Sequence, residues 1–191
     1  MRLRVDDDLR RSRLTVFFRL VLVIPHLVWL YFWAWAFFAV LIFNWFATLF
    51  AGRSEEDVHS FMGRWVRYTT HIHAYFLLAA SPWPRFSGRP GTYPVDLELD
   101  PPAPQHRLVT LFRIILVIPA YVFAAVLGTV AQVLAFVGWF VCLALGRMPK
   151  GMRDLIAYCI RYQAQTYAYL FLLTSRYPSL ASGSGFQFEE A

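Results

Sequence analysis

The chain has 191 residues, 58 % of them hydrophobic and only 16 % charged, with a mean hydropathy of +0.46 and a formal net charge of +6. The charged share falls well below the roughly 25 % of soluble chains, which excludes an ordinary soluble domain. The excess arginines flank apolar segments and build no separate basic domain, so they point to anionic lipid head groups and exclude nucleic acid as a partner.

In chain order, "RLRVD" alternates at period two and reads as a short extended lead-in. Leu14–Phe50 follows with a single charge, Arg19; an amphipathic start leads up to Pro25, and the long apolar run comes after it. This run is far longer than the roughly 7–15 residues of a signal-peptide core and ends in no small-x-small site, so it reads as retained. After Trp45-Phe46 and Gly52-Arg53 comes a polar loop, then a shorter helix over about Phe61–Ala80. The Pro- and Gly-dense "SPWPRFSGRPGTYP" is a linker. Val95, Leu97 and Leu99 alternate again, Leu108–Leu145 carries one charge, Arg113, and a shorter helix covers about Leu155–Leu173. Each long run exceeds the roughly 20 apolar residues that cross a bilayer core. The tail "SLASGSGFQFEEA" reads as mobile. The organisation expected is a first membrane repeat over 1–84, a linker over 85–94, a second repeat over 95–178 and a tail over 179–191.

The two halves are copies. At a constant offset of 94 residues "RLTVFFRLVLVIPH" falls on "RLVTLFRIILVIPA", and Trp45-Phe46 on Trp139-Phe140. Gly52-Arg53 meets Gly146-Arg147, Arg67-Tyr68 meets Arg161-Tyr162, and Ser81 and Pro84 meet Ser175 and Pro178. Chance likeness between apolar segments would not hold Arg, Gly, Pro and Trp in one ungapped frame.

The lead-in "YPVDLELDPP", the core "RLVTLFRIILVIP", then "WF", "GR", "YAYL" and "RYP" resemble the bacterial membrane family called domain of unknown function 4389. The resemblance covers both units. The second fits better, and the first departs at "VDDDLRRS" and "SPWP". It implies a membrane location and brings no activity with it.

The acidic residues exclude several mechanisms. None of the twelve lies inside an apolar run, which argues against proton-coupled transport, carboxylate-pair hydrolysis and intramembrane aspartyl proteolysis. No G-x-S-x-G marks a serine nucleophile, so no catalytic constellation is visible. His26, His71 and His73 have Ala120, Gln165 and Tyr167 as counterparts, and His71 and His73 point to different helix faces, so neither haem nor a metal site is expected. Cys142 and Cys159 read as small hydrophobes, with no disulfide. No cofactor is expected.

Arg64 and Arg67 share a helix face with His71, and Arg161 holds the matching place in the second unit. With no acid at that depth they form a polar interfacial face, a lipid or anion site, or a bridge to a partner subunit. In the lipid reading Arg64, Arg67, Tyr68, Arg161 and Tyr162 hold phosphate, with the tyrosines beside the guanidinium groups. The stretch "WLYFWAWAFF", with Trp29, Trp33 and Trp35, maps onto "FAAVLGTVAQ", which has a single aromatic. It faces lipid, fills space against the small-residue stripe Ala120, Ala124 and Gly128, anchors a partner helix, or lines a ligand pocket.

The expected fold is an all-α integral membrane protein with about four membrane helices in two tandem repeats. The N-terminus lies inside, and the repeats are parallel about an axis along the membrane normal. The lead-ins Met1–Val5 and Val95–Leu99 are expected to meet as a short antiparallel pair. The function expected is a structural or accessory component of a multi-pass bacterial inner-membrane assembly, with lipids and a membrane-protein partner or second copy around it. The alternative is a lipid-binding or small-solute transport protein that uses the arginine faces.

Overall fold

The computed structural model describes residues 1–181 and 186–188. The elements run β1 (Arg2–Val5), α1 (Arg13–Phe17), α2 (Arg19–Ala51), α3 (Glu56–Phe76), β2 (Val95–Glu98), α4 (Arg107–Leu116), α5 (Ile118–Leu145), α6 (Lys150–Leu170) and β3 (Phe186–Phe188). Of the segment expected to be a mobile tail, residues 182–185 and 189–191 lie outside the described residues, and Phe186–Phe188 pairs parallel with β1.

The lead-ins meet as expected. β1 and β2 pair antiparallel in the register Arg2↔Glu98, Leu3↔Leu97, Arg4↔Asp96 and Val5↔Val95. The 94-residue offset maps this register onto itself, so a pseudo-two-fold axis passes between Leu3 and Leu97. Leu3, Val5, Val95 and Leu97 turn into the core, while Arg2, Arg4 and Glu98 face outward.

β2 packs on α3 and β1 on α6. These two helices lie antiparallel at the centre. His59, near the start of α3, bonds the carbonyl of Leu173 just past the end of α6 (3.1 Å). At the other end, Arg11 ties Leu78, just past α3, to Asp7, whose carbonyl accepts from Arg153 at the start of α6. α2 flanks α3 and α5 flanks α6.

The units also exchange arms: α1 packs on α5, and α4 packs on α2. Arg11 N–H donates to the Gly146 carbonyl at 2.9 Å, and its counterpart Gln105 N–H donates to Gly52 at 2.7 Å. Gly52 (φ 75°) and Gly146 (φ 68°) end the two long helices in the left-handed conformation. The Arg13 guanidinium reaches the Ala144 carbonyl (2.9 Å), and Arg107 reaches that of Phe50 (3.0 Å).

Among the described residues two helices, α2 and α5, are long and apolar enough to cross a membrane, where about four membrane helices were expected. The expected shorter helices are present as α3 and α6. Each starts and stops a few residues earlier than expected, and the left-handed turns at Leu78 and Leu172 (φ 64° for both) account for the early stops. A second correction concerns the repeats. Trp139, late in α5, bonds the Val16 carbonyl just before α2, while the end of α2 sits beside Arg107 at the start of α4. The long helices therefore run in opposite senses. A two-fold axis along the membrane normal would leave crossing helices parallel, so these helices cannot both cross and share such an axis.

Candidate functional site

The single charges of the two apolar runs hold the same post in each unit. Arg19 Nη1 donates to the Tyr75 carbonyl at 2.6 Å, and Arg113 Nη1 to the Tyr169 carbonyl at 2.7 Å. The guanidinium carbons stack over the rings of the same tyrosines at 4.3 and 4.4 Å. Each arginine thus caps the negative end of the neighbouring short helix, where cations are favoured. Past each cap, the left-handed leucine has its carbonyl bound by a side chain, that of Leu78 by Arg11 and that of Leu172 by Gln105. These bonds hold a conformation that costs an L-residue about 1–2 kcal/mol.

The five expected lipid-binding residues do not form one site. Arg67 is buried: Nε donates to the Leu97 carbonyl (2.9 Å) and Nη1 to Gly88 (3.2 Å). The premise that no carboxylate meets it is corrected, since Asp96 Oδ1 lies 3.4 Å from Nε. The same oxygen is 2.9 Å from His71 Nε2 and accepts the Leu97 N–H, while Oδ2 accepts from Gly91. Burial alone would raise the Asp96 pKa, but the His71 and backbone bonds outweigh it and hold the carboxyl below its ordinary range. Arg64 is exposed, and with Arg67, Arg89, His59 and Asp100 it lines an open cleft of about 660 Å³. Arg89, from the linker, could not be assigned to this group by helical spacing.

Tyr68 turns the other way. Its hydroxyl is 2.7 Å from His26 Nδ1, and His26 itself is enclosed by Trp83 and Phe86, each 4.5 Å between ring centroids. In the second unit Arg161 bonds the carbonyls of Ala181 (3.1 Å) and Ser179 (3.5 Å) and lies 5.1 Å over Tyr158, and Tyr162 is buried. The two matched arginines therefore hold corresponding segments beyond their helices, since the 94-residue offset puts Arg85–Ser87, next to Gly88, in the place of Ser179–Ala181, and Arg67 also reaches Leu97 in β2.

The aromatic cluster divides by face. Trp35 is 68 % and Trp29 46 % exposed, whereas Trp33 is half-buried against Tyr68 (5.5 Å) and Phe61 (6.2 Å). The small stripe serves a close approach, but within its own hairpin. Ala120, Ala124 and Gly128 are buried, a side chain at Gly128 would collide with Gln163, and Gln163 donates to the Ala124 carbonyl (3.2 Å). It is α6, not the first unit's aromatics, that fills this stripe.

Cys142 and Cys159 are free and buried. Among the described residues no three His, Cys, Asp or Glu side chains come together as metal ligands. A model of the family described as Domain of unknown function (DUF4389) matches residues 13–87 and again 107–182. No curated protein and no solved structure matches the chain.

Proposed function

We propose a role for this chain, which belongs to that family and carries its domain twice. It is a structural or accessory component of a bacterial inner membrane, seated in one leaflet with α2 and α5 lying along the membrane surface. One observation carries this reading: the sheet lies level with the middle of helices whose outer faces are apolar. Leu20, Leu27, Phe32, Trp35, Ile42 and Phe50 along α2 are all more than half exposed, as are Ile118, Val122, Val126, Phe136 and Phe140 along α5. Such faces suit hydrocarbon.

The pseudo-two-fold axis supports the in-plane orientation. α2 is about 50 Å long, and the antiparallel repeats centre on the Leu3–Leu97 pair. Were α2 and α5 upright, exposed Arg2, Arg4 and Glu98 and the open sheet edges would fall near mid-bilayer. Each charge there costs about 3 kcal/mol, and unpaired strand edges are not tolerated in hydrocarbon. Laid flat, the same sheet faces water.

The test uses single cysteines at exposed Glu56, just past α2, and exposed Arg147, just past α5, in a chain with Cys142→Ala and Cys159→Ala. An impermeant maleimide labels both from one side of sealed vesicles if the protein lies flat. Labelling from opposite sides would overturn the in-plane reading. Mild-detergent purification tests the accessory role, which predicts a stoichiometric membrane-protein partner.

The cleft bearing Arg64, Arg67 and Arg89 favours a second reading, an anion site on the water-facing side. Arg64→Gln with Arg89→Gln would then lower anionic-lipid retention in native mass spectrometry and leave neutral lipid unchanged.

A further inference from the structure

A cavity of about 560 Å³ lies between the start of α2, the end of α3 and the second half of α5. That volume falls within the roughly 300–1,000 Å³ of small-molecule sites. Its walls are apolar, built by Leu20, Phe76, Leu77, Ala135, Phe136 and Trp139, and its polar side chains are Arg19 and Gln132. The Trp139 N–H is already committed to the Val16 carbonyl (3.0 Å).

Arg19 is 3 % exposed. Beyond its bond to Tyr75, its Nε and Nη2 are buried without a hydrogen-bond partner among the described residues. A guanidinium stripped of water in this way retains strong demand for an acceptor.

The duplicate supplies an internal comparison. The 94-residue offset puts Phe38 in the place of Gln132 and Leu41 in the place of Ala135. On that side Phe37 stacks on Trp65 (4.1 Å) and meets Phe171 (4.8 Å). There Arg113 Nη1 has a second acceptor, the Thr174 carbonyl at 3.1 Å, while the counterpart of Thr174 is Ala80. Arg113 also leaves Nε without a partner among the described residues, so what sets Arg19 apart is its second orphan nitrogen, Nη2. That extra unmet donor and the cavity occur together where Gln132 and Ala135 stand in place of a phenylalanine and a leucine.

We propose that this cavity binds a single-chain amphiphilic anion. Its carboxylate or phosphate oxygens take the Arg19 Nε–Nη2 edge and Gln132, and its alkyl chain runs along Leu77, Ala135 and Phe136. A small anion would leave the apolar walls wet, and a neutral alkyl ligand would leave the guanidinium unmet. The head group comes either from a free fatty acid or from a lipid phosphate. The inference is independent of how the protein sits in the membrane.

The full chain, delipidated in non-ionic detergent, is titrated with palmitate, hexadecyl phosphate and hexadecanol. At least one anion should bind one-to-one and at least tenfold tighter than the alcohol. Preference for palmitate assigns a fatty acid and preference for hexadecyl phosphate a lipid phosphate, and either supports the site. Arg19→Gln should bring anion affinity down to that of the alcohol. Ala135→Leu, which restores the first unit's side chain at this position, should weaken all three ligands at least tenfold. Because Arg19 also caps α3, an unfolded Arg19→Gln leaves the decision to Ala135→Leu and to the wild-type comparison. Equal wild-type affinity for all three amphiphiles, or undiminished palmitate and hexadecyl phosphate binding in folded Ala135→Leu, overturns the proposal.

Discussion

Leu3 pairs across the ladder with Leu97, its own counterpart in the other repeat, and both side chains are fully buried. Exchanging the repeats carries Arg2↔Glu98 onto Arg4↔Asp96, so the first unit supplies the cations of the ladder and the second supplies the anions. Leu3→Ala and Leu97→Ala should therefore destabilise by similar amounts, about 3 kcal/mol each. Denaturant titration in detergent checks this, and a several-fold difference between the two would contradict the symmetry.

Asp96 joins β2 to α3 through Arg67 and His71. Asp96→Asn should cost about 2–4 kcal/mol by leaving Arg67 buried without a carboxylate. The pH dependence has a definite sign. The folded Asp96 pKa is depressed, so its contribution is present above the ordinary carboxylate value and is lost as pH falls through the folded one. Thermal melts from pH 6 to 3 should show wild-type Tm falling below about pH 4, and this part of the slope should be missing in Asp96→Asn.

Trp33 and Trp35 sit two residues apart on α2 and face different surroundings. Trp35→Leu should change stability by no more than about 0.5 kcal/mol, as for other exposed positions. Trp33→Leu should cost about 1–2 kcal/mol through lost packing on Tyr68 and Phe61. Tm measurements on the two variants separate them, and equal effects would refute the assignment of faces.

Gly52 and Gly146 take left-handed conformations at matched helix ends. Each Gly→Ala change should cost about 1 kcal/mol. The double variant should approach the sum, because the two sites lie at opposite ends of the molecule.

Much of the frame was legible because the duplication preserves residues with structural posts. Arg19 and Arg113, Gly52 and Gly146, and the alternating lead-ins each have a matched partner in the fold. That α3 and α6 pack inside the protein was not legible. α3 and α6 show apolar residues mixed with Arg, His and Gln, which fits an interfacial helix as well as a buried one. What buries them is a set of partners distant in sequence: Asp96 for Arg67 and His71, and the Leu173 carbonyl for His59. The carboxylate missing from the apolar runs came instead from a strand beyond the linker. Spacing on one helix cannot reveal that. The small stripe was correctly a close-approach surface, but periodicity does not name the helix that fills it, and α6 does.

The crossed arms make each repeat a fragment. Cut in the linker, the first half would lose the docking sites of α1 and Arg11 on the end of α5, and the second half would lose those of α4 and Gln105 on the end of α2. Neither half encloses its own core, so the complementary peptides should reconstitute each other when co-expressed and remain poorly folded when expressed singly. Tethering them in one polypeptide makes this mutual clasp intramolecular, so assembly becomes independent of protein concentration. The duplication is in this sense a dimer written as one chain. Fusion also released the two copies from identity: side chains on one side of the axis can change without altering their images on the other.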